Sequence, residues 1–199
     1  MLSVHALSCI RGGWPLFEGL DFALRPREWA HVQGGNGAGK TSLLRLLAGL
    51  SRPHGGEVRW RGQAIGGEAW RRELLYLGHA PAVKEELSPL ENLRMASAVD
   101  GDALDDAQAA QALGRFGLAG SEDLPVRFLS AGQKRRVLLA RTLTRRATAW
   151  ILDEPFTALD TDAVGLLAGV VREHLDSGGV AVVTSHQGIP LAGGQVVQL

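Results

Sequence analysis

The stretch Gly34-Gly35-Asn36-Gly37-Ala38-Gly39-Lys40-Thr41 limits what this chain can fold into more than any other part of it. It fits the pattern of a glycine, four residues, then glycine, lysine and a serine or threonine. A strand-like run at residues 29–33 precedes it. A helical run at 40–50 follows, with Leu43, Leu44, Leu46 and Leu47 available for burial and Gly49 near its end. Small residues between a strand and a helix let backbone N–H groups turn inward around an anion, and the helix N-terminus adds partial positive charge. Gly34, Gly35, Asn36, Gly37, Ala38 and Gly39 are therefore expected to cradle phosphate. Lys40 is expected to reach the β- and γ-phosphates of a nucleoside triphosphate such as ATP. The Thr41 hydroxyl is expected to hold Mg²⁺, and Ser42 is the next donor along. A glycine-rich turn that matches by chance is the alternative, and the strand–loop–helix context argues against it.

Patterns elsewhere place this loop in an α/β fold. Residues 2–10 and 16–24 alternate apolar and polar side chains around the turn-forming Gly12-Gly13, as an antiparallel pair at the edge of the fold would. Short strands are expected at 57–61 and 74–77. From Gly78 to about Ala140 the patterns are helical, with no convincing strand. Ser88-Pro89-Leu90-Glu91 reads as a capped helix start, 103–116 as a second helix closed by Gly117, and Ser130-Ala131-Gly132-Gln133 as the start of a third. Apolar runs at 149–152 and 180–184, separated by a helix at 160–176, complete a βαβ pattern with a parallel sheet. The expected organisation is one domain over 1–199, with a core and β subdomain at 1–78 and 141–199 and a helical subdomain at 79–140.

Composition excludes several function classes. Lys+Arg and Asp+Glu balance at 21 each, so no net field draws the chain to nucleic acid or to an anionic membrane. A basic cluster at Lys134, Arg135, Arg136 and Arg141 reads as a solvated helix face. The single cysteine, Cys9, excludes an internal disulfide and fits a reducing compartment. The Met1 segment lacks a basic stretch followed by an apolar one, and no window reaches the roughly 18 apolar residues of a membrane span. A cytoplasmic protein is expected, whose membrane connection comes through a partner.

Chemistry is also expected at Ala149-Trp150-Ile151-Leu152-Asp153-Glu154. An apolar strand ending in an acid places Asp153 beside the phosphate loop, where it can hold Mg²⁺. Glu154 follows directly and can act as general base toward the attacking water. Leu129-Ser130-Ala131-Gly132-Gln133 is physically a capped helix N-terminus with a free hydroxyl, and alone it would be read as an ordinary cap.

The order of these segments is more telling than any one of them. Phosphate loop, helical insertion, Leu129 to Gln133, acidic strand and then Thr184-Ser185-His186 together resemble the ABC ATPase family over essentially the whole chain. One glycine of that family's signature is alanine here, at Ala131. The resemblance implies an ATPase of P-loop type with an antiparallel β edge subdomain and a helical insertion. It implies that Ser130, Gly132 and Gln133 contact ATP held by a second copy in a head-to-tail dimer, with Phe156-Thr157-Ala158-Leu159-Asp160 lining the interface. It also implies that His186 contacts the γ-phosphate and, with Glu154 and Lys40, belongs to the catalytic set.

Two positions depart from the family pattern. Where a glutamine normally follows the strand at 74–77, this chain reads Gly78-His79-Ala80-Pro81, so His79 or a water beside Ala80 could take its place. The aromatic residue that normally stacks on adenine is replaced near the first hairpin by Arg11, with Trp14 close behind; a guanidinium can also stack on a base.

Within the family, the chain resembles the ATP-binding subunits of the bacterial cytochrome c maturation system, a haem exporter. Gly78-His79-Ala80-Pro81, Glu91-Asn92-Leu93, Lys134-Arg135-Arg136, Trp150 to Ala158 and Ser185-His186-Gln187 carry that likeness, and the short C-terminus fits it. It implies a peripheral subunit on the cytoplasmic face of the inner membrane, joined to a membrane-spanning permease. The segment 81–94 is expected to transmit motion to that partner. No Cys-x-x-Cys-His occurs, so this subunit is not expected to bind haem itself. The competing readings are an ATPase for another small substrate, a non-transport ATPase of DNA repair or translation, and a regulator that binds ATP without hydrolysing it. Glu154 and His186 speak against the last.

Overall fold

The computed structural model describes residues 1–79, 82–186 and 188–199. The chain divides into two compact units, Met1–His79 with Ala147–Pro155 and Val171–Leu199, and Ala80–Arg146 with Phe156–Val170. The helix α6 (Thr161–Asp176) contributes its first residues to the second unit and its last to the first.

The first unit is built on two sheets. The strands β1 (Leu2–Arg11), β2 (Trp14–Leu24), β4 (Gly55–Trp60) and the short β5 (Gln63–Ala64) form an antiparallel sheet in the order β2-β1-β4-β5. The strands β3 (Trp29–Gln33), β6 (Leu74–Leu77), β7 (Ala149–Leu152), β8 (Val180–Thr184) and β9 (Gln195–Gln198) form the other sheet in the order β6-β7-β8-β3-β9, with every pairing parallel. All four residues of β7 and all five of β8 are buried, as central parallel strands require. The helix α1 (Lys40–Leu47) buries Leu43, Leu44, Leu46 and Leu47 in a cluster that includes Leu2, Val4 and Phe22 of the antiparallel sheet and Ala30, Val32, Ile151 and Val182 of the parallel one. That double burial anchors the helix whose first residue is Lys40.

The helix α1 is three residues shorter than its periodicity predicts. The amide of Leu50 donates to the Arg45 carbonyl at 2.9 Å and that of Gly49 to Leu46 at 3.0 Å. With Gly49 at φ 73° this is a Schellman closure, and Gly49 takes the left-handed conformation that ends the helix. The helix α2 (Gly67–Glu73), β5 and β9 are additions to the sequence reading. In α2 only Trp70 is buried, so no periodicity advertises the helix.

The second unit is helical. The helix α3 (Pro89–Asp100) starts at Ser88 with a reciprocal capping box to Glu91 and Pro89 in its first turn. Buried Asn92 ties the preceding loop to it, its amide donating to the carbonyls of Lys84 and Ser88 and its carbonyl accepting the Lys84 amide at 2.7 Å. The helix α4 (Asp106–Arg115) begins later than the expected residue 103, because Asp105 and Gln108 make their own capping box. A single 3-10 turn (Val126–Phe128) leads into α5 (Ala131–Thr144). The basic face expected on α5 is not a free solvated one. Lys134 pairs with Glu85 at 2.7 Å, Arg136 with Asp160, and Arg141 with Asp100 at 3.2 Å, while Arg135 is buried.

Candidate nucleotide-binding and catalytic site

The glycine loop joins β3 to α1 without interruption. Gly39, the residue before the helix, has φ 102°, and a Cβ there would stand 3.1 Å from the Leu16 Cβ and 3.3 Å from a ring carbon of Phe17. Glycine is required twice over, for its conformation and for the approach of β2. The Lys40 ammonium folds back over the loop, donating to the carbonyls of Gly34 at 2.7 Å and Gly35 at 3.1 Å.

The acids at the end of β7 meet this loop. Asp153 is only 2% exposed, and one carboxylate oxygen accepts the Thr41 hydroxyl at 2.9 Å. Its other oxygen accepts the Thr184 hydroxyl at 2.7 Å, and the Thr184 oxygen in turn accepts the Glu154 amide at 2.8 Å. One buried hydroxyl thus acts as donor and acceptor, holding two successive acids at fixed phase. Glu154 has φ 51°, a left-handed conformation unusual for a glutamate and a form of strain typical of functional sites. Its side chain is nearly buried; one oxygen accepts the His186 amide at 3.2 Å, and the other lies 3.5 Å from the His186 ring. Thr41, Asp153, Thr184, Glu154 and His186 therefore form one continuous set.

Oxygen donors of this kind suit a magnesium ion. Thr41 and Asp153 supply a hydroxyl and a carboxylate already in contact, and the described residues hold no cluster of three His, Cys, Asp or Glu that could form an all-protein cage. Mg²⁺ bound through one or two protein oxygens, with phosphate and water filling the rest, fits that set.

Four contributors to the site lie outside the residues that sequence pattern singles out. In the sequence Thr184 is only the start of Thr184-Ser185-His186, yet the register that pairs Leu152 with Val183 sets it opposite Asp153. Leu16 and Phe17 press on Gly39 from β2, a contact that no local pattern reveals. Tyr76 on β6 has its phenol pushed above the ordinary value, first by burial and then by the nearby Asp153 carboxylate, so it stays neutral there.

The other expected residues fall elsewhere. Arg11 is exposed at the hairpin end opposite Trp14, which is itself 77% exposed. His79 is exposed just after β6; Ala80, Pro81 and Gln187 lie outside the described residues. Ser42 is part of the first turn of α1. Ser130, Gly132 and Gln133 belong to the helical unit, where the Ser130 oxygen accepts the Gln133 amide at 3.2 Å and the Gln133 side chain accepts the Ser130 amide at 2.9 Å. A Cβ on Gly132 would stand 3.4 Å from the carbonyl of Ala158. Asp160 of the same unit caps α6, accepting the Ala163 amide at 2.8 Å.

Comparison with known proteins agrees with this arrangement. A family model described as ABC transporter matches residues 17–157. The cytochrome c biogenesis ATP-binding export protein CcmA of Dechloromonas aromatica is 51% identical over 201 residues, covering 100% of this chain and 98% of its own length. The chain belongs to the ABC transporter family, among its cytochrome c biogenesis ATP-binding export proteins. Solved ABC structures share the fold. An ABC transporter ATP-binding protein from Pyrococcus furiosus superposes with a TM-score of 0.88 at 24% identity, covering 100% of this chain and 96% of that one. A dimeric ATP-binding cassette in a post-hydrolysis state, bound to ADP and Pi, superposes with a TM-score of 0.82 at 20% identity, covering 94% and 88%. As an ABC cassette the chain binds ATP, and its mixed α/β architecture is that of the family.

Proposed function

We propose that this chain is the ATP-hydrolysing subunit of an ABC transporter that drives haem export or delivery for c-type cytochrome biogenesis. The observation that carries the ATPase part is the continuous set from Thr41 through Asp153 and Thr184 to Glu154 and His186. The relative from Dechloromonas aromatica, an export protein of cytochrome c biogenesis, supports the cargo.

Both compact units are read as one ATP-binding domain. The backbone of Gly34 to Gly39, with Lys40, holds the phosphates, and Ser42 adds a donor. Thr41 and Asp153 are the residues that would hold Mg²⁺, which when bound neutralises charge on the β- and γ-phosphates. The Glu154 carboxylate accepts a proton from the attacking water as the γ-phosphoryl moves in line to it. His186 contacts the γ-phosphate and keeps the Glu154 side chain in register. Catalysis of this type rests on positioning and charge neutralisation rather than on a covalent intermediate.

A working site takes two copies, head to tail, with Ser130 and Gly132 of one closing on the nucleotide of the other and Gln133 holding Ser130 in its cap. A dimeric cassette of the same fold, bound to ADP and Pi, supports the pairing of two copies. Arg11 is the candidate for stacking on adenine. No helix among the described residues is long and apolar enough to cross a membrane. On the export-protein reading, a membrane-spanning permease carries the cargo, docked near residues 81–94, and the chain sits at the cytoplasmic face of the inner membrane without binding haem or nucleic acid.

The test is genetic and biochemical together. Cells lacking the chain should lose c-type cytochromes, seen as covalently bound haem on denaturing gels. The wild-type chain should restore them, and Glu154→Gln, which keeps ATP binding but removes the base, should not. Normal cytochromes in the deletion strain would refute the cargo and leave an ATPase serving another small substrate.

A further inference from the structure

His31 is unused by the reaction as described, yet it is hydrogen-bonded to the peptide that holds the base. It lies on β3, in register with Val183 of β8 and Val196 of β9, with β8 between it and the strand that ends in the acids. Its Nε2 is 3.3 Å from the Ser185 carbonyl oxygen, and its Nδ1 is 3.0 Å from the Gln33 side-chain nitrogen. A carbonyl can only accept, so Nε2 carries the hydrogen and Nδ1 is left to accept from the Gln33 amide. The Trp29 ring stacks alongside at 6.3 Å, with 25° between planes. Tautomer and ring plane are both set.

The carbonyl that His31 binds belongs to the same peptide group as the His186 amide. That amide donates to the Glu154 carboxylate at 3.2 Å. One peptide, Ser185–His186, is therefore held at both ends, by an imidazole N–H at its oxygen and by the catalytic carboxylate at its nitrogen. Drawing electron density toward the oxygen makes the nitrogen a better donor, since hydrogen bonds in series strengthen one another. The same peptide also fixes where the His186 ring begins. Glu154, with its left-handed backbone, needs such partners to keep one geometry.

We propose that His31 is a positioning residue for ATP hydrolysis, acting through the Ser185–His186 peptide to orient the Glu154 carboxylate and His186. The inference rests on the reading of Glu154 as general base. A strand histidine that merely satisfies its own hydrogen bonds would affect stability and leave turnover alone.

The experiment compares His31→Gln and His31→Met in the full chain within its native membrane complex. Both side chains have similar length, but only glutamine offers an N–H to the Ser185 carbonyl. ATP affinity, KM, kcat and thermal midpoint are measured for each, with Glu154→Gln alongside. The expected result is a kcat about tenfold lower for the methionine variant, equivalent to roughly 1.4 kcal/mol. ATP affinity and KM should stay unchanged, and the glutamine variant should keep kcat within about twofold of wild type, the margin left by a retained donor. Equal kcat in the two variants, or a loss confined to thermal midpoint, overturns the proposal. If Glu154→Gln is inactive while His31→Met turns over normally, only the role of His31 falls. Persistent turnover in Glu154→Gln would instead remove the base itself.

Discussion

Thr184 is where a single atom has most influence. Its hydroxyl donates to Asp153 and accepts the Glu154 amide, and Thr184 is fully buried. Valine has nearly the same shape and can do neither. Thr184→Val leaves one carboxylate oxygen and one amide without this partner at a buried position, a loss worth about 1–3 kcal/mol. Urea unfolding should show that loss, and ATP turnover should fall with it, because Asp153 and Glu154 lose their common tether. Thr184→Ser keeps the hydroxyl and should keep most of both. A valine variant with wild-type stability and turnover would show that strand pairing alone sets the two acids.

At the scale of elements, two helix starts with the same chemistry should differ in consequence. Ser88 and Ser130 each cap a helix, accepting an amide at 3.2 Å from Glu91 and Gln133 respectively. Replacing either by alanine should cost about 1 kcal/mol of stability, the usual worth of such a cap. Only Ser130→Ala should also reduce ATP hydrolysis, since only that serine is assigned to the nucleotide of a second copy. Equal turnover after both substitutions would make Ser130 a cap and nothing more. Both starts were legible in the sequence because capping is local: serine, two residues, then Glu or Gln. The same holds for the glycine loop and for β7, whose four apolar residues end in Asp153. What escaped was set by contacts distant along the chain. β9 alternates weakly and is a strand because β3 pairs with it, with the Leu199 amide donating to the Gln33 carbonyl at 2.9 Å. α2 holds its shape around Trp70, which meets Trp60 with ring centroids 5.6 Å apart. Phe17 reaches the glycine loop only because β2 folds over it. The basic run on α5 reads as a solvated face in one dimension, whereas Glu85, Asp100 and Asp160, its partners, lie far from it in sequence.

For the molecule as a whole, the even count of 21 acidic and 21 basic residues leaves little net field, so pH should act on stability through particular buried groups. His174 is the clearest of them. It lies flat on Trp150 of β7, ring centroids 3.8 Å apart and planes 9° from parallel, with Nε2 3.2 Å from the Val180 carbonyl. Gly179 passes so close that a Cβ there would stand 2.2 Å from the imidazole, which leaves no room for the ring to turn away. Burial pushes the His174 pKa below its ordinary value, outweighing the hydrogen bonds to Val180 and Thr148 that act the other way. The unfolded chain, with a histidine pKa of about 6.5, therefore binds the proton more readily than the folded one. The stability this group contributes is complete above that value and drains away as pH falls through the lower folded one. Urea midpoints should accordingly be level above about pH 7 and decline below about 6.5 with little change in slope. His174→Phe keeps a flat ring on Trp150 but cannot take up a proton. It should lower the midpoint at neutral pH, through loss of the bond to Val180, and flatten the decline on the mildly acidic side. An undiminished decline in that variant would place the proton-sensitive group elsewhere.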